Sequence, residues 1–525
     1  MVETLVVGVD AATWDVINRL CENDVLPNIQ RLVRGGDSGT LNSTRPPMTP
    51  LAWTSMATGV NPGKHGIYDF RKQDPDTYEV TPVEYSDIQR PTVWDACNHA
   101  GQSVGIVNFP VASPAPDVDG FFISGFPAAA DDEIVSDPTI RDHLPDDYRI
   151  QPGTDPHDNP SGYLEEVTSL TECRCDVTLS LAEAYDPELL WPVFMGIDWV
   201  QHYLWGENIN GEPAVEQMYR HIDTQIGRLL DAVDDETDVL LVSDHGFTPL
   251  EGEIHLNGLL ESLGDLKQDE GSGCRRGAAT AIAGGLRILD SIPTGIRKSL
   301  VGTAKEILPK WLVKTGEIVE GATGQEYLHE RLDWDGTQSF SFGSMGRVFV
   351  NRESRYPLGT VTKDGYEHYR AELRNRFLEL KHPETGDPVF EAVTPGEEVY
   401  HGGQANAAPD LLLTPRDWSY MCYGDFGDRW IHDPRERIAD HHPEGIFIYS
   451  GASGETVDVD AIDVAPIVLA LQDVPLPDDL DGRVPSTIAE TPTETTALSV
   501  FESKAIRKRD PDNDIEDRLE DLGYM

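Results

Sequence analysis

Asp10, Thr49, Asp198, His202, Asp244, His245 and His441 are the residues of this chain whose types and placing suit them to chemistry. All are hard oxygen or imidazole donors, with no thiolate among them. Three of their segments read as a buried strand running into a donor: Leu5-Val6-Val7-Gly8-Val9-Asp10, Val193-Phe194-Met195-Gly196-Ile197-Asp198 and Val239-Leu240-Leu241-Val242-Ser243-Asp244-His245. If those apolar runs lie parallel in one sheet, the three aspartates emerge at the same C-terminal edge, where open α/β sheets bind ligands. Like charges gathered there repel one another unless cations join them. The expected chemistry is hydrolysis at a two-metal site.

The other spacings agree. Asp198 and His202 stand at i and i+4, on one face of a helical turn, where they can chelate one cation. Thr49 followed by Pro50 reads as an N-cap with proline at the first helical position. Taken alone that is only a cap. A hydroxyl there also lies at the positive end of a helix dipole, and when bound to a cation it can ionise and attack phosphorus. His441 or His442, just before a strand from Gly445, is expected to complete a site. Oxygen and nitrogen donors suit two divalent ions, zinc first and manganese second.

Positioning these groups takes alternating strands and helices. Strands are expected at 3–10, 104–109, 193–198 and 238–243, with helices at 26–33, 49–58, 166–186 and 213–233. Further strands are read at 339–342, 347–350, 409–413 and 445–449. The pattern predicts an α/β fold, a doubly wound and mostly parallel sheet with a helical cap insertion. The expected division is a catalytic core of 1–250 with 335–486, a basic helical cap at 251–334, and a linker with a C-terminal helical tail at 487–525.

The 525 residues carry 92 Asp and Glu against 41 Lys and Arg, a formal net charge of -51, and only 11 lysines. Such a surface fits a protein kept soluble in concentrated salt, where self-repulsion is screened within about 3 Å. It disfavours nucleic acid as a partner. Long apolar strands throughout argue against an acidic disordered chain. The six cysteines show no paired spacing beyond Cys173-Arg174-Cys175, which points to reduced thiols. No leader pattern or 18-residue apolar run is present, so a cytoplasmic location is expected. Residues 272–316 reverse the charge, with eight basic residues against Asp290 and Glu306. That segment reads as a cap packed on the acidic body, with an anionic-substrate lid or a peripheral membrane contact as the alternatives.

The run Pro46-Pro47-Met48-Thr49-Pro50-Leu51-Ala52-Trp53-Thr54-Ser55-Met56-Ala57-Thr58-Gly59-Val60-Asn61-Pro62-Gly63-Lys64-His65-Gly66-Ile67 resembles the nucleophile segment of type I phosphodiesterase/nucleotide pyrophosphatase proteins, in the alkaline phosphatase superfamily. With Ile123 to Pro127, Gly196-Ile197-Asp198, Ser243 to Gly246, Ala408 to Leu411 and His441 with Pro443-Glu444-Gly445, the chain is most similar to the predicted phosphohydrolase/phosphomutase branch. The resemblance covers about 3–250 and 335–480. It implies that Asp10, Asp244 and His245 hold one metal with the Thr49 hydroxyl, and that Asp198, His202 and His441 hold the second. Thr49 would attack a small-molecule phosphate ester in line to give a phosphothreonine intermediate. Two departures bear on the substrate. Ala52 stands where nucleotide-hydrolysing members tend to have Asn, and Pro50 follows Thr49 directly. Thr49 in place of a modifiable Cys or Ser argues against a sulfatase. The alternatives are a phosphomutase or phosphoryl transferase using the same nucleophile, and a non-catalytic, membrane-peripheral metal-binding protein.

Overall fold

Every residue from Thr4 to Val9 is buried, as a strand covered on both faces requires, and this strand (β1) lies inside the principal sheet. Its partners are β2 (Asp37–Asn42), β3 (Val104–Phe109), β4 (Gly120–Ser124), β5 (Leu189–Phe194), β6 (Asp238–Val242), β7 (Glu444–Tyr449) and β8 (Val459–Asp460). The order is β8-β2-β7-β6-β1-β5-β3-β4. Strands β6, β1, β5, β3 and β4 run parallel, whereas β7 is antiparallel to both β6 and β2. The computed structural model describes residues 2–128, 133–269, 331–427, 429–435, 437–451, 454–489 and 494–501. The basic segment 272–316, most of the expected cap and most of the expected C-terminal tail lie outside them.

Helices cover the sheet on both faces. Helix α1 (Thr49–Thr58) is buried at all ten residues and stops at Gly59, whose φ of 68° is the left-handed C-terminal stop that glycine provides. Helix α2 (Pro160–Tyr185, 26 residues) begins with the Asn159 side chain accepting from Gly162 N. It packs on α3 (Gly196–Leu204) and on the amphipathic α4 (Ala214–Leu230).

The hydrophobic residues form two main clusters. One spans Leu5 to Val242 and Ile446 to Ile488 around the principal sheet. The other joins Ile254, Leu256, Leu260, Phe340, Val348, Leu373, Phe377 and Leu411 around a four-stranded antiparallel sheet. Arg347 of that second sheet forms a buried ion pair with Asp69, tying the two together.

Some local expectations shift. The strand before Asp198 ends at Phe194, so Asp198 sits in the first turn of α3 rather than at a strand end. The strand lies four residues earlier than expected, at Leu189–Phe194, and the helix begins at Gly196. Met48, extended at φ -127° and ψ 136°, is the N-cap of α1, which makes Thr49 its first helical residue. His441 lies within a strand of its own, Ala439–His442, paired with Gly246–Pro249.

Candidate metal centre

Register sets two of the carboxylates side by side. Gly8 of β1 pairs with Val242 of β6, so Asp10 and Asp244, each two residues further on, leave the same sheet edge together. Ala11, at φ 62°, turns the chain sharply there; its N–H donates to Asp244 Oδ1 at 3.3 Å and its carbonyl accepts from Gln201 at 2.8 Å. Strain of this kind in a non-glycine residue concentrates at functional sites.

Gly8 permits a close approach. A Cβ there would lie 2.5 Å from Trp53 Cη2, and because none exists the indole reaches over β1 to donate from Nε1 to Asp10 Oδ2 at 2.8 Å. Asp10 Oδ1 and Asp244 Oδ2 are buried without a hydrogen-bond partner among the described residues. Each carboxylate thus commits one oxygen to a protein donor and presents the other to the cluster.

The imidazoles are fixed in the same manner. His202 Nδ1 donates to Ala439 O at 3.2 Å, His245 Nδ1 to Gly246 O at 3.1 Å, and His441 Nδ1 to Pro47 O at 2.9 Å. A carbonyl only accepts, so the hydrogen must be on Nδ1 in each ring and Nε2 is the nitrogen turned to the cluster. His245 Nε2 lies 3.2 Å from Asp244 Oδ2, 3.6 Å from Asp10 Oδ1 and 3.4 Å from Thr49 Oγ1. His202 Nε2 and His441 Nε2 lie 3.2 and 3.4 Å from Asp198 Oδ1 and 3.2 Å from each other. The rings of His245 and His441 stack with centroids 3.7 Å apart, which joins the two halves.

All seven residues selected from sequence therefore meet in one buried cluster. Their ligand atoms fall into groups fit for a cation: Asp10, Asp244 and His245; Asp198, His245 and His441; and His202, Asp440 and His441. Asp440 was not anticipated. Its Oδ1 accepts from His441 N at 2.8 Å and its Oδ2 faces Arg437 at 3.3 Å. Its position directly before the histidine, in a run reading as loop, carried no spacing signal. His442, the competing choice, is only part-buried, and its Nδ1 accepts from Glu444 N at 3.3 Å.

Electrostatics test whether this set suits cations. Burial, then the charges of Asp244 and Asp198, pushes Asp10 well above the usual carboxylate range. Burial also raises Asp244 and lowers His245. At Asp198 burial is outweighed by His202 and His441, which lower it well below the usual carboxylate range, and at His441 burial is outweighed by Asp440 and Asp198, which raise it. On its own the cluster needs extra protons to stay buried. Divalent cations supply that positive charge instead, and the oxygen and nitrogen donors fit them.

Known proteins resemble this chain in sequence family and in fold. A family model described as type I phosphodiesterase / nucleotide pyrophosphatase matches residues 4–443. Among solved structures, phosphonoacetate hydrolase from Sinorhizobium meliloti 1021, in complex with phosphonoacetate, is similar in fold at 15% identity and a TM-score of 0.52, covering 88% of this chain and 94% of that one. Human ectonucleotide pyrophosphatase / phosphodiesterase 5 aligns at 11% identity and a TM-score of 0.49, over 93% of this chain and 98% of that one. No curated protein matches the chain.

Proposed function

The chain belongs to the type I phosphodiesterase / nucleotide pyrophosphatase family and is a phosphoric ester hydrolase, and from that premise we propose that Thr49 is its nucleophile, working beside two divalent cations. The observation that carries the reading is the place of the Thr49 hydroxyl. It is fully buried at the N-terminus of α1 and 3.4 Å from His245 Nε2, inside a cluster of carboxylates and imidazoles.

In this reading Asp10, Asp244, His245 and Thr49 hold one cation, and Asp198, His202 and His441 hold the other, with zinc the best match to the donors. Two cations held there would lower the pKa of the hydroxyl and of water and would offset charge on the attacking and leaving oxygens. Thr49 Oγ1 bonds to phosphorus as the bond to the leaving alcohol oxygen breaks, and that oxygen gains a proton. Water then bonds to phosphorus and the Thr49 ester breaks. From a monoester the intermediate is phosphothreonine; from a diester it keeps the second alcohol. The first turn of α1 supports the anion with its dipole and the Leu51 amide, which has no intrahelical acceptor. Ala52 adds only a buried methyl, so the phosphoryl group takes no side-chain amide from that position.

The substrate class we favour is a small phosphodiester other than a nucleotide. Hydrolysis of bis-p-nitrophenyl phosphate, p-nitrophenyl phosphate and thymidine 5′-p-nitrophenyl phosphate, in multimolar KCl with zinc or manganese, tests it. Turnover of the simple diester that a chelator abolishes is expected. Turnover of the monoester alone makes the protein a phosphatase, and preference for the thymidine ester overturns the inference from Ala52.

A further inference from the structure

Among the described residues four arginines are almost completely buried: Arg71, Arg174, Arg347 and Arg437. Arg347 pairs with Asp69, and Arg437 with Asp440 at 3.3 Å. Arg174, midway along α2, forms no ion pair with a carboxylate among the described residues. Its Nη2 donates to the backbone carbonyl of Ile150, while Nε and Nη1 have no hydrogen-bond partner among the described residues. A guanidinium stays charged throughout the pH range of folded proteins. Its stack over Trp199, 5.0 Å from the ring centroid, offsets only a small part of the cost of burying that charge unpaired.

The surroundings supply further donors, and among the described residues no carboxylate forms an ion pair with the guanidinium. Tyr148 Oη donates to Asn108 Oδ1 at 2.6 Å, orienting the amide, and Asn108 Nδ2 is buried with no partner among the described residues. Asn108 is held at φ 57° where the β3–β4 ladder shifts register, so this amide is placed by an irregular backbone. Trp199 Nε1 is also buried without an acceptor among the described residues. Tyr148 and Cys173 are the groups whose charges would compensate Arg174. Burial pushes the Tyr148 phenol up to about 12 and raises the Cys173 thiol as well, so both are neutral near pH 7. A water molecule would bring hydrogens of its own into this surplus of donors. A monatomic anion is wholly an acceptor and carries the missing charge.

We propose that Arg174, Asn108 and Trp199 form a binding site for one small inorganic anion of the chloride class, between α2, α3 and the end of β3. Helix α3 presents Asp198 and His202 to the metal cluster and Trp199 to Arg174, so the anion braces the helix that carries two candidate ligands without joining their site.

Bromide substitution tests this on the intact protein. Crystals grown with bromide replacing chloride should give a bromine anomalous peak in contact with the Arg174 guanidinium, and Arg174→Met should lose it. A water there without anomalous signal overturns the proposal. So does a peak that survives in Arg174→Met, which would mark an adventitious ion only. Thermal unfolding of the wild type gives a second reading if the variant does not fold. With potassium and ionic strength fixed, replacing gluconate by chloride should raise Tm along a saturating curve, and a linear or flat response overturns the site.

Discussion

His441 donates from Nδ1 to the carbonyl oxygen of Pro47 at 2.9 Å, across 394 positions of sequence. Pro47 stands two residues before Thr49, so one hydrogen bond fixes both the ring of a candidate metal ligand and the loop that delivers the candidate nucleophile. The strand around His441 holds a second ligand too, since Ala439 O accepts from His202 Nδ1 and Ile438 N donates to His202 O. A short run near the end of the chain thereby sets the geometry of a site begun at residue 10.

That arrangement separates His441 from its neighbour. Adjacent strand residues point to opposite faces, and only His441 faces the cluster. His441→Ala should lose one metal per chain and about 100-fold or more in kcat/KM. His442→Ala should stay within about threefold of wild type. Metal content by mass spectrometry and diester turnover check both; the reverse order of effects would exchange the two assignments.

Trp53 aims Asp10. Trp53→Phe keeps the ring in place but removes the N–H that binds Asp10 Oδ2. Metal affinity at the Asp10 position should fall about 10- to 100-fold, as for other partners behind metal ligands. Gly8→Ala forces a methyl to 2.5 Å from Trp53 and should cost about 1–3 kcal/mol of stability. Calorimetric titration of zinc and thermal unfolding measure the two effects. Unchanged zinc affinity in Trp53→Phe would show that Asp10 is aimed by something else.

Asp481 closes the loop after α1. It accepts from Asn61 N at 2.9 Å and from Lys64 Nζ at 2.7 Å, and His401 Nε2 lies 3.1 Å from it. Although burial opposes it, these contacts, Lys64 foremost, hold the carboxyl down to about 2. A carboxylate with a depressed folded pKa stabilises fully above its unfolded value near 3.8 and loses that contribution as pH falls toward about 2. After allowance for solvent screening, the contribution is about 1 kcal/mol. Asp481→Asn should lower stability at neutral pH and leave a shallower loss between pH 4 and 2. Unfolding midpoints across that window test it, and parallel acid limbs would contradict it.

Much of the fold was legible because the parallel strands are fully buried and read as continuous apolar runs. Their common direction put Asp10 and Asp244 on one edge before any register was known. Helix and strand boundaries near the site were harder to read. Asp198 follows Phe194, Met195 and Gly196, and nothing in those residues distinguishes a lengthened strand from an early helix turn. Asp440, the Trp53–Asp10 bond and the carbonyls that orient the histidines left no trace in residue spacing, since each depends on contacts between distant segments. Arg174 was invisible for a similar reason: Cys173-Arg174-Cys175 looks like an ordinary helical stretch until folding buries the guanidinium where no described carboxylate pairs with it.

Rapid acid quenching during diester turnover tests whether Thr49 bonds to phosphorus. Peptide mass spectrometry of the quenched enzyme should find the phosphoryl adduct on Thr49, and Thr49→Ala should bind both metals yet give neither adduct nor turnover. An adduct on another residue, or wild-type turnover by Thr49→Ala, would contradict the account.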